Sequence, residues 1–304
     1  MKGGRQLSAD PYTAEVAPLG AALSRLAFEG ADLVVPAAAD DPPATFRGVV
    51  VAPWPNRVVD GRYSFGGVEH QLPVNETARG HALHGFSSDR SWVVVDESAA
   101  RVALRLDLPP QPGYPFSVRL EATYVLSAAG LRLDLTATNT GDGPAPYGCT
   151  IHPYLTCGTP TIDEAVLELP AATRLEVGER LVPAGTAPVE QVDCDFRRGA
   201  AVADRRIDHA FTDLTPGPGG TISATLRRSG AGDRAPRGVR ITWGPWAQWV
   251  QVHTADRPEP EADRIGLAVE PMSCAPDAFT SGEGLVVLGP GESHHAWWTL
   301  AAAP

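Results

Sequence analysis

Short runs of alternating apolar and polar residues recur along the chain. In each run aliphatic or β-branched residues occupy every second position, which places their side chains on one face of a β-strand. The clearest runs predict strands at 91–96, 101–108, 117–126, 131–139, 165–169, 221–227, 239–243, 249–254 and 285–288. The helical period is scarce, and it predicts only single turns, at 204–208 and from residue 280 onward.

Turn-forming residues separate these runs. The 31 glycines and 29 prolines are spread through the chain, and no repeat of fixed length is present. Many short strands punctuated in this way are typical of antiparallel sheets with one packed face and one solvated face. The segments 230–236 and 256–263 are predicted to be exposed loops, because strands resume directly after each. We therefore predict an all-β fold, a large antiparallel β-sandwich, formed by a single domain over 1–304.

The composition is consistent with this fold and argues against two classes of partner. Hydrophobic residues make up 43% and charged residues 20% of the 304 positions, as in globular proteins. The net charge of −11 argues against nucleic acid and against an anionic membrane, because both require clustered Lys and Arg. We expect neither partner.

Targeting and redox signals are few. The basic residues Lys2 and Arg5 are not followed by the apolar segment of a signal peptide, and no run reaches the roughly 18 apolar residues of a membrane span. The four cysteines, at 149, 157, 194 and 274, show no metal-binding spacing. The sequence therefore predicts reduced thiols in a cytoplasmic protein, and it carries no signal for oligomeric state.

Candidate chemistry begins with His152, which a strand-like segment presents just before Pro153. Its imidazole titrates near neutrality, so this residue is either a proton-transfer group or a hydrogen-bonded structural histidine. Glu270 shows the same arrangement 118 positions later, between an apolar strand and Pro271. A carboxylate in apolar surroundings needs a partner or a catalytic task, because burial of an unpaired charge is costly.

Other polar residues lie in turn-rich segments. Arg57 follows the turn-prone cluster 53–56, and a hairpin is predicted at 60–61. His81 and His84 are three residues apart beside glycines, but they lack companion ligands at a metal-binding spacing, so no metal is predicted. Asp208 lies in the segment 207–211.

Together these segments resemble the aldose 1-epimerase (galactose mutarotase) family, specifically its bacterial members. The matching elements occur in the family's order and are 53–57 (Pro-Trp-Pro-Asn-Arg), 83–85 (Leu-His-Gly), 152–154 (His-Pro-Tyr), 208–211 (Asp-His-Ala-Phe), 269–271 (Val-Glu-Pro) and 276–279 (Pro-Asp-Ala-Phe). The resemblance implies the galactose mutarotase-like supersandwich fold. It also implies interconversion of the α and β anomers of a free hexose, with no metal and no organic cofactor.

The resemblance also assigns roles. It implies that Glu270 is the general base and His152 the general acid of ring opening, with His84 beside the ring oxygen or the anomeric hydroxyl. Arg57 and Asp208 would bind sugar hydroxyls. The remaining predicted substrate-binding residues are Asn56 and His81.

Several alternatives are open at this stage. One is a hexose-6-phosphate mutarotase, whose extra cations would come from Arg79, Arg90 or the pair 205–206. Another is a catalytically inactive sugar-binding or sensing protein on the same fold. A glycoside hydrolase would use the carboxylates of Asp208 and Glu270. Core packing or stacking on the sugar is the expected role of the aromatic residues Trp54, Trp243, Trp246, Trp249 and Phe279.

Overall fold

A computed structural model describes residues 3–37, 45–229 and 238–303, so the predicted loop at 230–236 lies outside the described residues. Strands account for 51% of the chain and helix for 7%, which confirms the all-β prediction. None of the helices in the described ranges has the length and apolar character needed to cross a bilayer.

The first strands are β1 (Arg5–Ala9), β2 (Tyr12–Ala17), β3 (Ala22–Phe28), β4 (Ala31–Asp32), β5 (Val50–Val51), β6 (Arg57–Val58), β7 (Arg62–Phe65), β8 (Val68–Gln71), β9 (Ala82–Leu83), β10 (Val93–Ser98), β11 (Arg101–Leu108), β12 (Val118–Ser127) and β13 (Gly130–Asn139). Those that follow are β14 (Ala145–Tyr147), β15 (Thr150–Ile151), β16 (Tyr154–Leu155), β17 (Ala165–Glu168), β18 (Ala171–Val177), β19 (Pro183–Pro188), β20 (Ala200–Ala201), β21 (Asp208–Leu214), β22 (Ile222–Arg228), β23 (Gly238–Trp243), β24 (Trp249–His253), β25 (Leu267–Met272), β26 (Val286–Leu288) and β27 (Ser293–Ala303). The helical segments are α1 (Ala278–Ser281) and the 3-10 turns Val59–Gly61, Ile162–Glu164, Glu179–Leu181, Val189–Gln191 and Pro218–Gly220.

The largest sheet has nine antiparallel strands in the order β10-β11-β12-β13-β27-β23-β22-β17-β20. Its strands β10 to β13, β17, β22 and β23 confirm the predicted runs. In β12 and β13 buried residues alternate regularly with more exposed ones, as one packed face requires. The strand β27 was not predicted, although it lies in the middle of the sheet. Four of its eleven residues are alanines, which have low strand propensity, and its pairing with β13 on one side and β23 on the other fixes it in the sheet.

A six-stranded antiparallel sheet, in the order β16-β25-β24-β21-β18-β19, has two different faces. One face contributes Val250, Val252 and Val269 to the core that it shares with the nine-stranded sheet. Because alternate side chains point to opposite faces, the other face carries Gln251 and Glu270, which are cross-strand partners. This second face forms part of the candidate site.

Two local predictions are wrong. The residues Asp60 and Gly61 form a 3-10 turn rather than a hairpin, since β6 pairs with β9 and β7 pairs with β8. The hairpin turn is instead at 66–67, where two glycines supply the positive φ angles that a tight turn requires. The segment 204–208 contains no helical turn and leads directly into β21.

The four cysteines are all free thiols. Cys149, Cys194 and Cys274 are buried, and burial raises the pKa of the Cys149 thiol to about 12. A buried thiol of high pKa is a poor nucleophile.

Candidate active site

A cavity of about 280 Å³ opens at the polar face of the six-stranded sheet. Its volume is near the lower end of small-molecule sites, roughly 300 Å³ and above, so the cavity suits a ligand of monosaccharide size. The lining residues are Thr45, Phe46, Asn56, Arg57, Glu76, Arg79, Leu83, His84, His152, Tyr154, Asp208, Gln251, His253, Asp256, Arg257 and Glu270. Six of the seven predicted site residues are in this set, and His81 is not.

His152 lies between β15 and β16, where Pro153 interrupts regular pairing. Its backbone is fixed on both sides, because its N–H donates to the carbonyl of Val49 at 3.0 Å and its carbonyl accepts from Gly48 at 2.8 Å. The side chain is only 4% exposed, and its Nε2 lies 3.3 Å from Oε1 of Glu270. The structure therefore brings together two residues 118 positions apart.

Glu270 projects from β25, whose six residues are all buried. Its carboxylate is 1% exposed. Gln251 faces it across the strand pair β24-β25, and the Gln251 amide donates to Oδ1 of Asp208 at 2.6 Å. One sheet face thus aligns Asp208, Gln251 and Glu270 along the cavity.

His84 is presented by an unusual backbone. Asn56 and His84 both adopt left-handed conformations, with φ of 54° and 60°, and the His84 N–H donates to the Asn56 carbonyl at 2.9 Å. Gly85 follows with φ of 63°, and a Cβ there would lie 2.1 Å from the carbonyl oxygen of Ala52, so only glycine fits. The ring of His84 packs edge-on against Phe46 at 4.6 Å. Positive φ at non-glycine residues costs energy and is concentrated at functional sites.

Arg57, Glu76 and Asp208 form an ion-paired group. Arg57 donates to both carboxylate oxygens of Glu76, at 2.8 and 3.0 Å, and its Nη2 lies 3.6 Å from Oδ2 of Asp208. The fork geometry holds the guanidinium in one orientation. Asp208 is thereby fixed by Arg57 on one side and by Gln251 on the other.

His81 lies beside the cavity and does not line it. It is fully buried, its Nδ1 accepts from the backbone N–H of Asp60 at 3.1 Å, and its Nε2 lies 2.9 Å from the carbonyl of Arg180. Both ring nitrogens are therefore used to join the turn at 59–61 to the segment around Arg180.

Buried polar atoms without partners are concentrated in this cavity. Within the described residues they include Nδ1 of His84, His152 and His253, Oε1 of Gln251 and Oε2 of Glu270. Buried polar groups are almost always hydrogen-bonded in folded proteins. Five such atoms around one cavity indicate a site that a ligand rich in hydroxyl groups would satisfy.

Burial sets the charges of the site. It lowers the pKa of His152 to about 3 and the pKa of His84 well below its usual value. Burial, reinforced by Asp208, also raises the pKa of Glu270 well above its usual value. For Asp208, burial alone would raise the pKa, but His253 and Arg57 outweigh it and hold the pKa below its ordinary value. The cavity therefore combines neutral proton-transfer candidates with charged binding candidates.

Several lining residues were missed by sequence reasoning. Gln251 and His253 lie in a correctly predicted strand, and period-2 alternation places both on the face away from the apolar core. Asp256 and Arg257 lie in the segment read only as an exposed loop. The aromatic residues considered for stacking on the sugar do not line this cavity, whereas Phe46 and Tyr154 do.

The donor atoms of His84, His152 and Glu270 all lie within 4.8 Å of one another. Two histidines and a glutamate form a donor set that divalent zinc accepts. The same three groups are the ones that proton transfer would use, and binding of a cation would occupy the lone pairs that this transfer requires.

Comparison with known proteins identifies the family of this chain. The Aldose 1-epimerase family profile matches residues 6–301. The uncharacterised protein YihR of Escherichia coli is 35% identical over 295 residues, which cover 97% of this chain and 91% of that protein. Galactose mutarotase of Mus musculus is 29% identical over 180 residues, covering 55% of this chain and 52% of that protein.

A crystal structure of an aldose epimerase homologue from C. elegans matches with a TM-score of 0.84 at 22% identity, and it covers 100% of both chains. At this identity the likeness establishes the galactose mutarotase-like fold alone. The profile match and the similarity to YihR establish more, since each extends over nearly the whole chain. The protein belongs to the aldose 1-epimerase family.

Proposed function

We propose that the protein is a cytoplasmic, single-domain mutarotase that interconverts the α and β anomers of a free hexose by acid-base ring opening. The observation that carries this proposal is the buried contact between His152 Nε2 and Glu270 Oε1 at 3.3 Å. The anomeric hydroxyl and the ring oxygen are bonded to the same carbon, so the base and the acid that act on them must lie close together.

Ring opening and closure use two proton transfers each, and both residues end in the state in which they began. Glu270 removes the proton of the anomeric hydroxyl, His152 gives a proton to the ring oxygen, and the bond between C1 and the ring oxygen breaks to leave an aldehyde. After rotation about the C1–C2 bond, His152 recovers its proton from the C5 hydroxyl as that oxygen attacks, and Glu270 returns its proton to the former carbonyl oxygen. The sugar leaves with the opposite configuration at C1.

For ring opening, His152 and Glu270 together must hold one transferable proton. Burial favours the neutral form of both groups, a carboxylic acid and an uncharged imidazole. This form differs from the reactive carboxylate and imidazolium only by transfer of one proton across the 3.3 Å contact. Hydrogen bonds from sugar hydroxyls to the unpaired oxygen of Glu270 would favour the reactive form.

The remaining residues bind the sugar. Arg57 and Asp208 present charged groups to its hydroxyls, and Asn56 holds the backbone that carries Arg57 and His84. His84, uncharged because it is buried, accepts or donates one hydrogen bond at the reacting end. We assign His81 to support of this layer rather than to direct contact with the sugar.

Polarimetry tests this proposal. Purified protein added to freshly dissolved α-glucose, or to another anomerically pure hexose, is expected to speed relaxation of optical rotation without producing new reducing ends. Binding of the sugar without acceleration would favour a sugar-binding or sensing protein. Product release from a nitrophenyl glycoside would favour a hydrolase.

A chelator distinguishes proton transfer from metal chemistry. Incubation with EDTA is expected to leave the rate unchanged, because the proposed steps use only His152 and Glu270. Loss of activity that added zinc restores would assign the cluster of His84, His152 and Glu270 to a metal.

A further inference from the structure

Arg257 lies in the loop after β24 and faces the cavity. The loop is closed on itself, because the backbone N–H of Arg257 donates to Oδ1 of Asp263 at 2.8 Å. This closure holds Arg257 beside the six-stranded sheet. Nothing in the ring-opening reaction described above uses this residue.

Three arginines line the cavity, and two of them are paired with carboxylates. Arg57 and Arg79 both donate to Glu76. Within the described ranges Arg257 forms no salt bridge, and the adjacent Asp256 is bound instead by Arg264 at 2.8 Å. Arg257 therefore brings an uncompensated positive charge to the cavity, although the protein as a whole has a net charge of −11.

Arg47 places a second positive charge beside Tyr154, which also lines the cavity. The guanidinium carbon of Arg47 lies 5.9 Å from the centre of the Tyr154 ring, and the described residues include no salt-bridge partner for it. Its Nη1 donates to the carbonyl of Pro36 at 3.1 Å. Burial raises the pKa of Tyr154 to about 12, and the charges of Arg257 and Arg47 oppose that rise, so both guanidinium groups act on the same ring.

The position of Tyr154 indicates which part of a sugar would meet these charges. Its ring stacks on the ring of His152 at 5.2 Å, with planes inclined by 13°. In the proposed function His152 acts on the ring oxygen, which is bonded to C5, and the exocyclic C6 is attached to C5. Groups on C6 therefore lie on the side of the sugar that faces Tyr154 and Arg257.

We propose that Arg257, with Arg47 in support, forms a subsite for an anionic group at C6, so that among the hexoses the enzyme accepts, it prefers one that carries a phosphate, sulfonate or carboxylate there. The inference rests on the proposed mutarotase function and names its substrate class. A planar guanidinium matches such oxyanions with two parallel hydrogen bonds. The sequence offered Arg79, Arg90 and the pair 205–206 as cations for a phosphate. Only Arg79 of these lines the cavity, and Arg90 and Arg205 bond instead to Gln111 and Asp193.

Exchange NMR on anomeric protons tests the subsite. The substrates are glucose, glucose 6-phosphate, glucuronate and 6-deoxy-6-sulfoglucose, compared at equal ionic strength. We expect kcat/KM for at least one anionic sugar to exceed that for glucose at least about tenfold, and the sugar that shows this identifies the anion. Substitution Arg257→Gln should lower kcat/KM for that sugar by about 10- to 100-fold, mainly through KM, and more than for glucose.

Two further variants make the result specific. Arg257→Lys should recover part of the loss, because it keeps the charge but not the paired hydrogen bonds. Arg206→Gln is the matched control. The Arg206 side chain lies 3.9 Å from Oδ1 of Asp256, the residue before Arg257, but it is 84% exposed and does not line the cavity, so the substitution should leave the preference unchanged. An equal loss for charged and neutral sugars in Arg257→Gln would overturn the subsite.

The proposed function and the subsite can fail separately. If anomeric exchange of glucose is accelerated but no anionic sugar is preferred, the mutarotase proposal is supported and the subsite is overturned. If anomeric exchange is accelerated for none of the sugars, the mutarotase proposal is overturned, and titration calorimetry with the three anionic sugars then tests whether the subsite exists. Binding that Arg257→Gln weakens at least about tenfold would support it, and binding that is absent or unchanged would overturn it.

Discussion

Two groups of ionisable residues meet at the cavity and are treated differently by the fold. In the group proposed to transfer protons, His84, His152 and Glu270 are buried, and each has a polar atom without a partner among the described residues. In the ion-paired group, Arg57, Glu76 and Asp208 hold one another by short contacts and stay charged. This contrast supports the proposed division of roles, because desolvation shifts pKa values toward those that proton exchange requires, whereas ion pairing keeps a charge and its orientation fixed.

The largest effect is expected from Glu270→Gln. This change keeps the shape of the side chain but removes the base, so kcat should fall by about 10³-fold or more in polarimetry. The matched control is Glu176→Gln, which alters a carboxylate on the same sheet that pairs with Arg174 outside the cavity. Wild-type turnover in Glu270→Gln would end the proposed mechanism.

His152→Ala should lower kcat by about 10²-fold or more, because water replaces the imidazole less effectively as an acid. His295→Ala, on the exposed part of β27, serves as the control and should keep full activity. If His152→Ala changed only KM, His152 would be a binding residue and the division between the two groups would be wrong.

Arg57→Ala acts on the ion-paired group, so the expected change is in KM. We expect a rise of about 10- to 30-fold with kcat altered only a few-fold, because a charge-assisted contact to the sugar is lost in the ground state and the transition state alike. Arg57→Lys should show a smaller rise, since it keeps charge without the bidentate contact to Glu76. A selective fall in kcat would instead place Arg57 in the proton-transfer group.

The pH dependence should report the pair of His152 and Glu270 as a unit. Activity requires one shared proton. Burial lowers the His152 pKa to about 3, so the pair gains a second proton only at low pH. Burial raises the Glu270 pKa, so the pair loses its shared proton only well above the usual glutamate range. The profile of kcat/KM should therefore be a broad bell whose acid limb lies below the ordinary histidine value of 6.5. A monotonic profile would contradict paired roles.

The smallest effect on catalysis is expected from His81→Ala. Loss of its two buried contacts leaves the Asp60 N–H and the Arg180 carbonyl unpaired, which should lower the free energy of unfolding by about 2 kcal/mol in urea titration. Turnover of the folded variant should stay within about threefold of wild type. A large rise in KM with unchanged stability would return His81 to the sugar-binding residues.

The glycine after His84 shows how far motif reasoning reaches. The sequence identified 83–85 as a family segment, but it gave no reason for the glycine. The structure supplies one, because the backbone at Gly85 is left-handed and touches the carbonyl of Ala52. Sequence likewise did not separate His81 from His84, since two histidines three residues apart look alike until their partners are known.

The sequence by itself determined the strands whose alternation is regular, the all-β class, and the family segments that include Arg57, His152 and Glu270. These features follow from local periodicity and local residue identity, which a linear reading contains. The tertiary structure alone decided the place of β27, the neutrality of His152 and Glu270, and the exposure of Arg257 to the cavity. Desolvation and charge compensation depend on packing between residues far apart in the chain, and no local pattern encodes them.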